Sequence, residues 1–399
     1  MKRKILLIIL GLILLSQIPF AYRRYRLHRL QTKIQQLATQ RATPSAASDY
    51  VDYKGVIHVH SSLGGHSTGN FSELISAAKA NQLDFVIMTE HPQADFDTSA
   101  LTLNGLHGGV LFLNGNEVIT ADGVRLLLIP GRANASEMNK KSTQQIIDEQ
   151  KADGALAIAA YPTESQGWQS SSVDGVEVYN LFTNARTMNP LVLFFDGLWS
   201  YRGYGDLMFA NFFARPSDNL KQWDEATANG NRKLIATAGN DAHSNVGVSL
   251  NDSSGHQLLG IKLDPYERSF RTVRTHVLIK KDRGLNRDSL LEAISQGHCY
   301  ISFDLFSAAD GFRFETSKSD KIMGDEVALA SELSLEVRTP LPSRVMLLKN
   351  GNPIAQSSTL PAKFPIDSAG TYRVEVYLDA LPAPVQGQPW ILSNPIYVK

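Results

Sequence analysis

The chain has one cysteine, Cys299, among 399 residues, so it holds no intrachain disulfide and no cysteine-rich zinc module. Residues 1–48 contain no acidic side chain, although nine basic ones stand there. The formal net charge of zero therefore conceals an acidic body: beyond residue 48, 30 basic residues face 39 acidic ones, a net of −9. Such a body lacks the broad positive field of an extended nucleic-acid groove, and none is expected. It suits a carboxylate-rich cation site instead. At 43% hydrophobic and 20% charged residues the chain is not compositionally disordered, and its length calls for one large domain plus something smaller.

After Met-Lys-Arg-Lys comes an apolar run from Ile5 to Phe20, about the minimum length for a spanning helix. No small-x-small cleavage pattern follows it, and arginines begin at Arg23. An uncleaved signal anchor over 1–22 is expected, followed over 23–48 by a basic juxtamembrane helix, able to lie on anionic headgroups, and a linker (ATPSAAS, 42–48). The chain would then sit on a membrane through this helix. The expected location is the bacterial inner membrane with the body on the extracytoplasmic side, although Lys2–Lys4 and Arg23–Lys33 compete as orienting charges.

From residue 55 short apolar runs alternate with helical segments. Strands are predicted at 55–60, 83–91, 109–118, 125–131, 154–162, 175–180 and 233–243, and helices at 71–82 and 142–154; 288–302 reads as a last helix and closing strand. Repeated β-then-α units indicate an α/β fold with parallel strands, open or closed into a barrel. Beyond Phe303 the pattern changes to short alternating strands at 331–338, 343–355 and 370–379, with Asn350-Gly351 as a hairpin signal. They predict a small β-sandwich domain over 305–399, whose role and protein partner the sequence leaves open.

His58, His60, His91, Glu117, Asp241 and His243 all fall at or just after predicted strand ends, the rim where α/β active sites assemble. With His66 in the loop SSLGGHSTG, five of the ten histidines lie in these segments. Two histidines at i and i+2 on a strand share a face, and Asp241-x-His243 repeats that geometry. Imidazole and carboxylate donors suit Zn, Mn or Fe. Seven candidate ligands exceed what one tetrahedral ion needs, which points to two or three divalent ions that activate a water and neutralise charge on a phosphoryl or acyl oxygen.

The order HVH (58–60), TEH (89–91), NE (116–117) and GNDAH (239–243) resembles the PHP (polymerase and histidinol phosphatase) superfamily of metal-dependent phosphoesterases. The resemblance implies a distorted (β/α)7 barrel over 49–304. It also implies a two- or three-metal site ligated by His58, His60, His66, His91, Glu117, Asp241 and His243, and hydrolysis of a small-molecule phosphomonoester or nucleotide phosphate. The nucleophile would be a metal-activated water, with no side chain assigned to that role. Two positions depart from the pattern: Glu90 replaces an aspartate, and Tyr161 in AYP (160–162) stands where a ligating histidine is usual. Tyrosine is a poor ligand while neutral, and Glu177 in GVEVYN is a possible substitute ligand. Candidate anion contacts are the loop 61–70 and Arg186, Arg202 or Arg215; the aromatic segment 194–213 reads either as a substrate wall or as core. Two other functions remain open at this point: an amidohydrolase-like enzyme cleaving amides or non-phosphate esters, and a catalytically degenerate metal-binding envelope module.

Overall fold

The computed structural model describes residues 2–43, 48–186, 188–229, 232–251, 257–318 and 320–399; residues 44–47 of the expected linker lie outside them. The N-terminal run of strong helix formers produces one helix, α1 (Lys2–Ala38), which continues through Pro19. Among the described residues it is the one helix long and apolar enough to cross a membrane. Its large apolar side chains from Ile5 to Leu15 project into open space. The basic stretch beyond is part of the same helix, and it packs on the body where contact with headgroups was expected. Leu27, Leu30 and Leu37 are buried in the main core, and the Arg23 guanidinium donates to both carboxylate oxygens of Asp196 at 2.7 and 2.9 Å.

Thirteen strands follow in the first three quarters of the chain: β1 Tyr50–Val59, β2 Phe85–Met88, β3 Gly105–His107, β4 Val110–Leu113, β5 Asn116–Ile119, β6 Arg125–Ile129, β7 Leu156–Ala160, β8 Gly175–Asn180, β9 Ile235–Ala242, β10 Gly247–Asn251, β11 Gln257–Lys262, β12 Arg274–Lys280 and β13 Cys299–Ser302. The helices after α1 are α2 Phe71–Ala80, α3 Thr98–Leu101, α4 Thr143–Ala152, α5 Leu181–Arg186, α6 Pro190–Tyr204, α7 Ser217–Asn229, α8 Tyr266–Ser269 and α9 Arg287–Ser295. The ladder β7–β8–β9–β1–β2–β4 is parallel throughout. Antiparallel pairs extend it, β5–β6–β7 on one side and β12–β13 beside β1. The result is a mixed α/β fold on one large sheet. Every residue of β2, β7, β8 and β9 is buried; β2 and β7 are apolar throughout, as strands covered on both faces of a parallel sheet usually are, while β8 and β9 carry buried polar side chains as well.

The predicted strand 109–118 is two strands, parted at Asn114-Gly115. A Cβ on Gly115 would stand 2.3 Å from the Met88 carbonyl oxygen, so the chain turns there because only glycine fits. The C-terminal strands are β14 Arg313–Thr316, β15 Glu326–Val327, β16 Ser334–Arg338, β17 Arg344–Lys349, β18 Asn352–Ser357, β19 Ala362–Pro365, β20 Gly370–Tyr377, β21 Pro389–Ser393 and β22 Ile396–Val398. Asn350 and Gly351, both at positive φ, make the β17–β18 hairpin. A three-stranded sheet β14–β16–β19 and the group β17–β20–β21 share one buried core with the body. The group β17–β20–β21 is continuous with the large sheet, because β21 pairs with β13. The Asn394 amide donates to the backbone oxygens of Ala236 and Cys299, closing the seam.

A second tie is ionic. His276 on β12 is buried between Asp52 (2.9 Å) and Asp304 (3.5 Å), with Tyr300 stacked on its ring. Burial alone would discharge the imidazole, but Asp52 and Asp304 hold it protonated, raising its pKa to about 10. Asp52 also accepts from the backbone N–H of Gly311, so this charge cluster sits where the body meets the C-terminal strands. A folded-state pKa above the unfolded value means the stabilisation is complete below about 6.5 and disappears as pH climbs through about 10. Chemical denaturation at pH 7 and pH 10 should show wild type losing stability across that interval. His276→Gln should lose ~3–5 kcal/mol at pH 7, because it strands two buried carboxylates, and should show a much flatter pH dependence.

Candidate metal centre

The strand ends carry the polar residues, but not by simple alternation. His58 interrupts β1 at a register shift between Ile57 and Val59 and adopts φ +66°. Tyr161, just past β7, and Asp241, near the end of β9, also have positive φ, +48° and +47°. Left-handed backbone at non-glycine residues costs of order 1–3 kcal/mol each and persists only where surrounding structure enforces it. Here it turns three side chains inward. The imidazoles of His58 and His60 converge, as expected, through a bulge rather than through a shared strand face, with ring centres 5.1 Å apart.

Two overlapping donor groups result. His58, His60, Glu117 and Asp241, all buried, bring one ligand atom each within 4.8 Å of one another; His60, His91 and His243 do the same. His60 Nε2 lies 3.4 Å from both Glu117 Oε2 and Asp241 Oδ1. Its ring packs against those of both His91 and His243, at 4.4 and 4.3 Å, and these two lie 6.0 Å from each other. His66 is exposed on the neighbouring loop with its ring edge against His91 at 4.8 Å. Six of the seven expected ligands thus meet in one hollow, and His66 stands at its mouth.

Whether cations fit this hollow is decided by atoms left unsatisfied. Both ring nitrogens of His60 and Oδ1 of Asp241 are buried and make no hydrogen bond. Buried polar atoms are normally paired; two of these three, His60 Nε2 and Asp241 Oδ1, lie 3.4 Å apart, and Nε2 is as close to the Glu117 carboxylate. Burial pushes the His60 pKa down to about 4 and that of His91 to about 3, keeping both imidazoles in the neutral form that ligates metal. Burial opposes ionisation of Glu117 and Asp241, yet the nearby His58 holds Glu117 ionised, down to about 2, and Asp241 lower still. Burial likewise opposes charge on His58, and Glu177, Asp241 and Glu117 outweigh it. The neutral imidazoles of His60 and His91 and the ionised Glu117 and Asp241, with His58 able to join them on giving up its proton, form a donor set that could hold a metal ion.

Glu177 does not join that set. Its Oε1 takes His58 Nδ1 at 2.6 Å and its Oε2 accepts from the Asn180 amide at 3.0 Å, so both oxygens are engaged behind the imidazole. It orients His58, which leaves Nε2 facing the hollow. The approach requires Gly239: a Cβ there would lie 1.7 Å from Glu177 Oε1. Tyr161 is likewise no ligand. Burial and the carboxylates of Asp241, Glu117 and Glu177 raise its pKa, so the neutral hydroxyl donates to Asp241 Oδ2 at 2.5 Å and turns Oδ1 inward. Glu90 faces away, accepting from the Ser61 backbone and hydroxyl and from the Thr102 hydroxyl.

A cleft of about 420 Å³ opens over the centre, lined by His66, His91, Tyr161, Phe182 and, at its rim, Arg125 and Arg186. Arg125 was not singled out in the sequence; it donates to Glu117 Oε1 at 3.1 Å and lies over the Tyr161 ring. Only its position on β6, next to β5, reveals it. Of the expected anion contacts, Arg186 lines the cleft. Arg215 is instead bound to Glu375, and Arg202 is exposed on α6.

No protein-family model matches the chain, and no curated protein matches it. Among solved structures it is similar to a two-domain protein from Bacteroides vulgatus containing a predicted PHP-like metal-dependent phosphoesterase, with 14% identity over 88% of this chain and 98% of that one and a TM-score of 0.39. It is also similar to PsfC from Pseudomonas syringae, at 12% identity over 63% and 92% of the two chains, with a TM-score of 0.39. A TM-score of 0.39 is too low for either likeness to bear on individual residues.

Glu177→Gln keeps the shape behind His58 and removes the charge. Calorimetric titration with Mn2+ should show affinity about 10–100-fold weaker than wild type. Gly239→Ala, which drives Glu177 away, should weaken it in the same direction. Binding as tight as wild type in both variants would remove Glu177 from this orienting role.

Proposed function

We propose that the chain is a membrane-anchored, metal-dependent phosphoesterase of the PHP type. On this reading the large sheet is a distorted PHP-type barrel, α1 supplies the anchor, and His58, His60, His91, Glu117, Asp241 and His243 hold two or three divalent ions, with His66 at the mouth. The observation that carries it is the pair of unsatisfied buried atoms, Nε2 of His60 and Oδ1 of Asp241, beside an ionised Glu117. Divalent ions in such a site supply Lewis acidity toward phosphoryl oxygens and acidify water.

The chain's own residues do the positioning. Glu177 and Tyr161 fix His58 and Asp241 before any ligand arrives, which removes reorganisation from the reaction. Arg186 stands half-exposed beside the cleft, paired with Glu164 at 3.5 Å, and an incoming phosphate dianion competes for the guanidinium. Arg125 is held against Glu117 and offers a second positive group on the same rim. A cationic rim over an anionic metal-holding floor favours a phosphate ester over an amide or carboxylic ester, which brings no dianion to the mouth. Among the described residues no lysine lines the cleft, so the bridging lysine of the amidohydrolase alternative has no counterpart among them.

The full chain in detergent, loaded with Mn2+ or Zn2+, should retain two or three equivalents of metal by elemental analysis and hydrolyse an activated aryl phosphomonoester. Asp241→Asn should lower kcat at least a hundredfold. Absence of retained metal, or turnover confined to amides and carboxylic esters, would overturn the proposal.

A further inference from the structure

Helix α6 shows an apolar face that the body does not cover. Leu191, Phe194 and Leu198 are 69, 56 and 71% exposed and stand three and four residues apart, on one side of the helix. What lies beside them is α1. Phe20 stacks on Phe195 at 4.9 Å, the Arg24 guanidinium donates to the Trp199 carbonyl, and His28 meets Tyr204 at 3.1 Å. These contacts advance together along both helices, so α6 runs parallel to α1. Its first turn therefore lies level with the end of the apolar run at Phe20, and the Trp199 indole N–H reaches Gln17 at 3.0 Å. A bilayer entered by residues 5–20 would meet the exposed stripe of α6 at its interface.

Behind the stripe runs a second cavity of about 230 Å³. Met188, just before α6, and Leu193 in its first turn line it, as do Met208, Phe212 and Leu263. Phe182, Arg186 and Asp241 line both this cavity and the cleft over the candidate metal centre, so the two lie side by side with these walls in common. This cavity is an apolar passage lined from Leu193 near the start of α6 to Arg186 and Asp241.

We propose that the substrate is a lipid-borne phosphomonoester whose hydrocarbon chain enters from the bilayer beside α6 and occupies this passage, with its phosphate at the rim between Arg186 and the metal centre. This rests on the phosphoesterase reading and on α1 as an anchor. In the reaction the oxygen of water bonds to phosphorus, the ester P–O bond breaks, and the leaving lipid oxygen takes up a proton. The products are a lipid alcohol, which returns to the bilayer, and inorganic phosphate.

Full-length protein should be assayed with n-alkyl phosphates from butyl to decyl, presented below their micellar concentrations, and with an aryl phosphate as the soluble reference. The expected result is kcat/KM at least tenfold higher for decyl than for butyl phosphate, since each buried methylene adds to binding. Leu193→Arg, which puts a charge in the passage, should reduce that ratio severalfold. If this variant fails to fold, the wild-type series still decides. In phosphatidylcholine vesicles Phe194→Trp should add fluorescence that is quenched by lipids brominated on their acyl chains. Aryl phosphate turnover with no dependence on alkyl length would overturn the lipid substrate while leaving the phosphoesterase reading intact. Failure to cleave any phosphate ester would overturn both. Added fluorescence unaffected by brominated lipid, or shifting with protein concentration as a second copy covers the stripe, would refute bilayer contact by α6.

Discussion

Two ionised carboxylates, Glu117 and Asp241, point oxygen atoms at one unpaired imidazole in the interior, and that burial is unfavourable unless positive charge stands among them. Much of the surrounding structure is arranged to hold this configuration. His58, Tyr161 and Asp241 accept left-handed backbone. Glu177 and Asn180 stand behind the first of these side chains, and the Tyr161 hydroxyl behind Asp241. Gly239 keeps open the space through which Glu177 reaches its imidazole. The charged His58 offsets part of this anionic burial, and the donor group could hold a metal ion that offsets the rest.

The N-terminal helix and the C-terminal strands are both fastened to the body that carries this centre. α1 contributes three buried leucines and the Arg23–Asp196 pair, so its apolar half projects from a rigid base rather than from a flexible tether. At the other end β21 extends the large sheet through β13. Buried charges reinforce that union: Arg373 on β20 is paired with Asp224 on α7 at 2.7 Å and with Glu375 at 2.8 Å. Part of the region expected as a small domain, the group β17–β20–β21, thus extends the sheet that carries the candidate metal centre, while β14–β16–β19 form a sheet of their own. Cys299 is part of the same seam, and burial pushes its thiol up to about 12, which leaves it unreactive.

Much of the candidate site was legible in the sequence because its residues belong to types that are rarely buried without a purpose and sit at the ends of apolar runs. His58, His60, His91, Glu117, Asp241 and His243 could be chosen on that basis. The supporting residues could not. Glu177 looked like a spare ligand and Tyr161 like a defect, because a one-dimensional pattern shows that a polar group is near a strand end but not which atom it faces. Arg125 carried no signal at all, since its role depends on the pairing of β5 with β6. The segment 194–213 admitted two readings, and it divides between an exposed stripe and a cavity wall.

By itself the sequence determined the alternation of strands and helices, the apolar N-terminal helix and the identity of the donor atoms, because periodicity and side-chain chemistry are local properties. The tertiary structure alone decided which donors share a hollow, which carboxylate stands behind an imidazole, and that α6 lies level with the apolar end of α1. Those facts depend on strand register and helix packing between residues more than a hundred positions apart, where no local preference reaches.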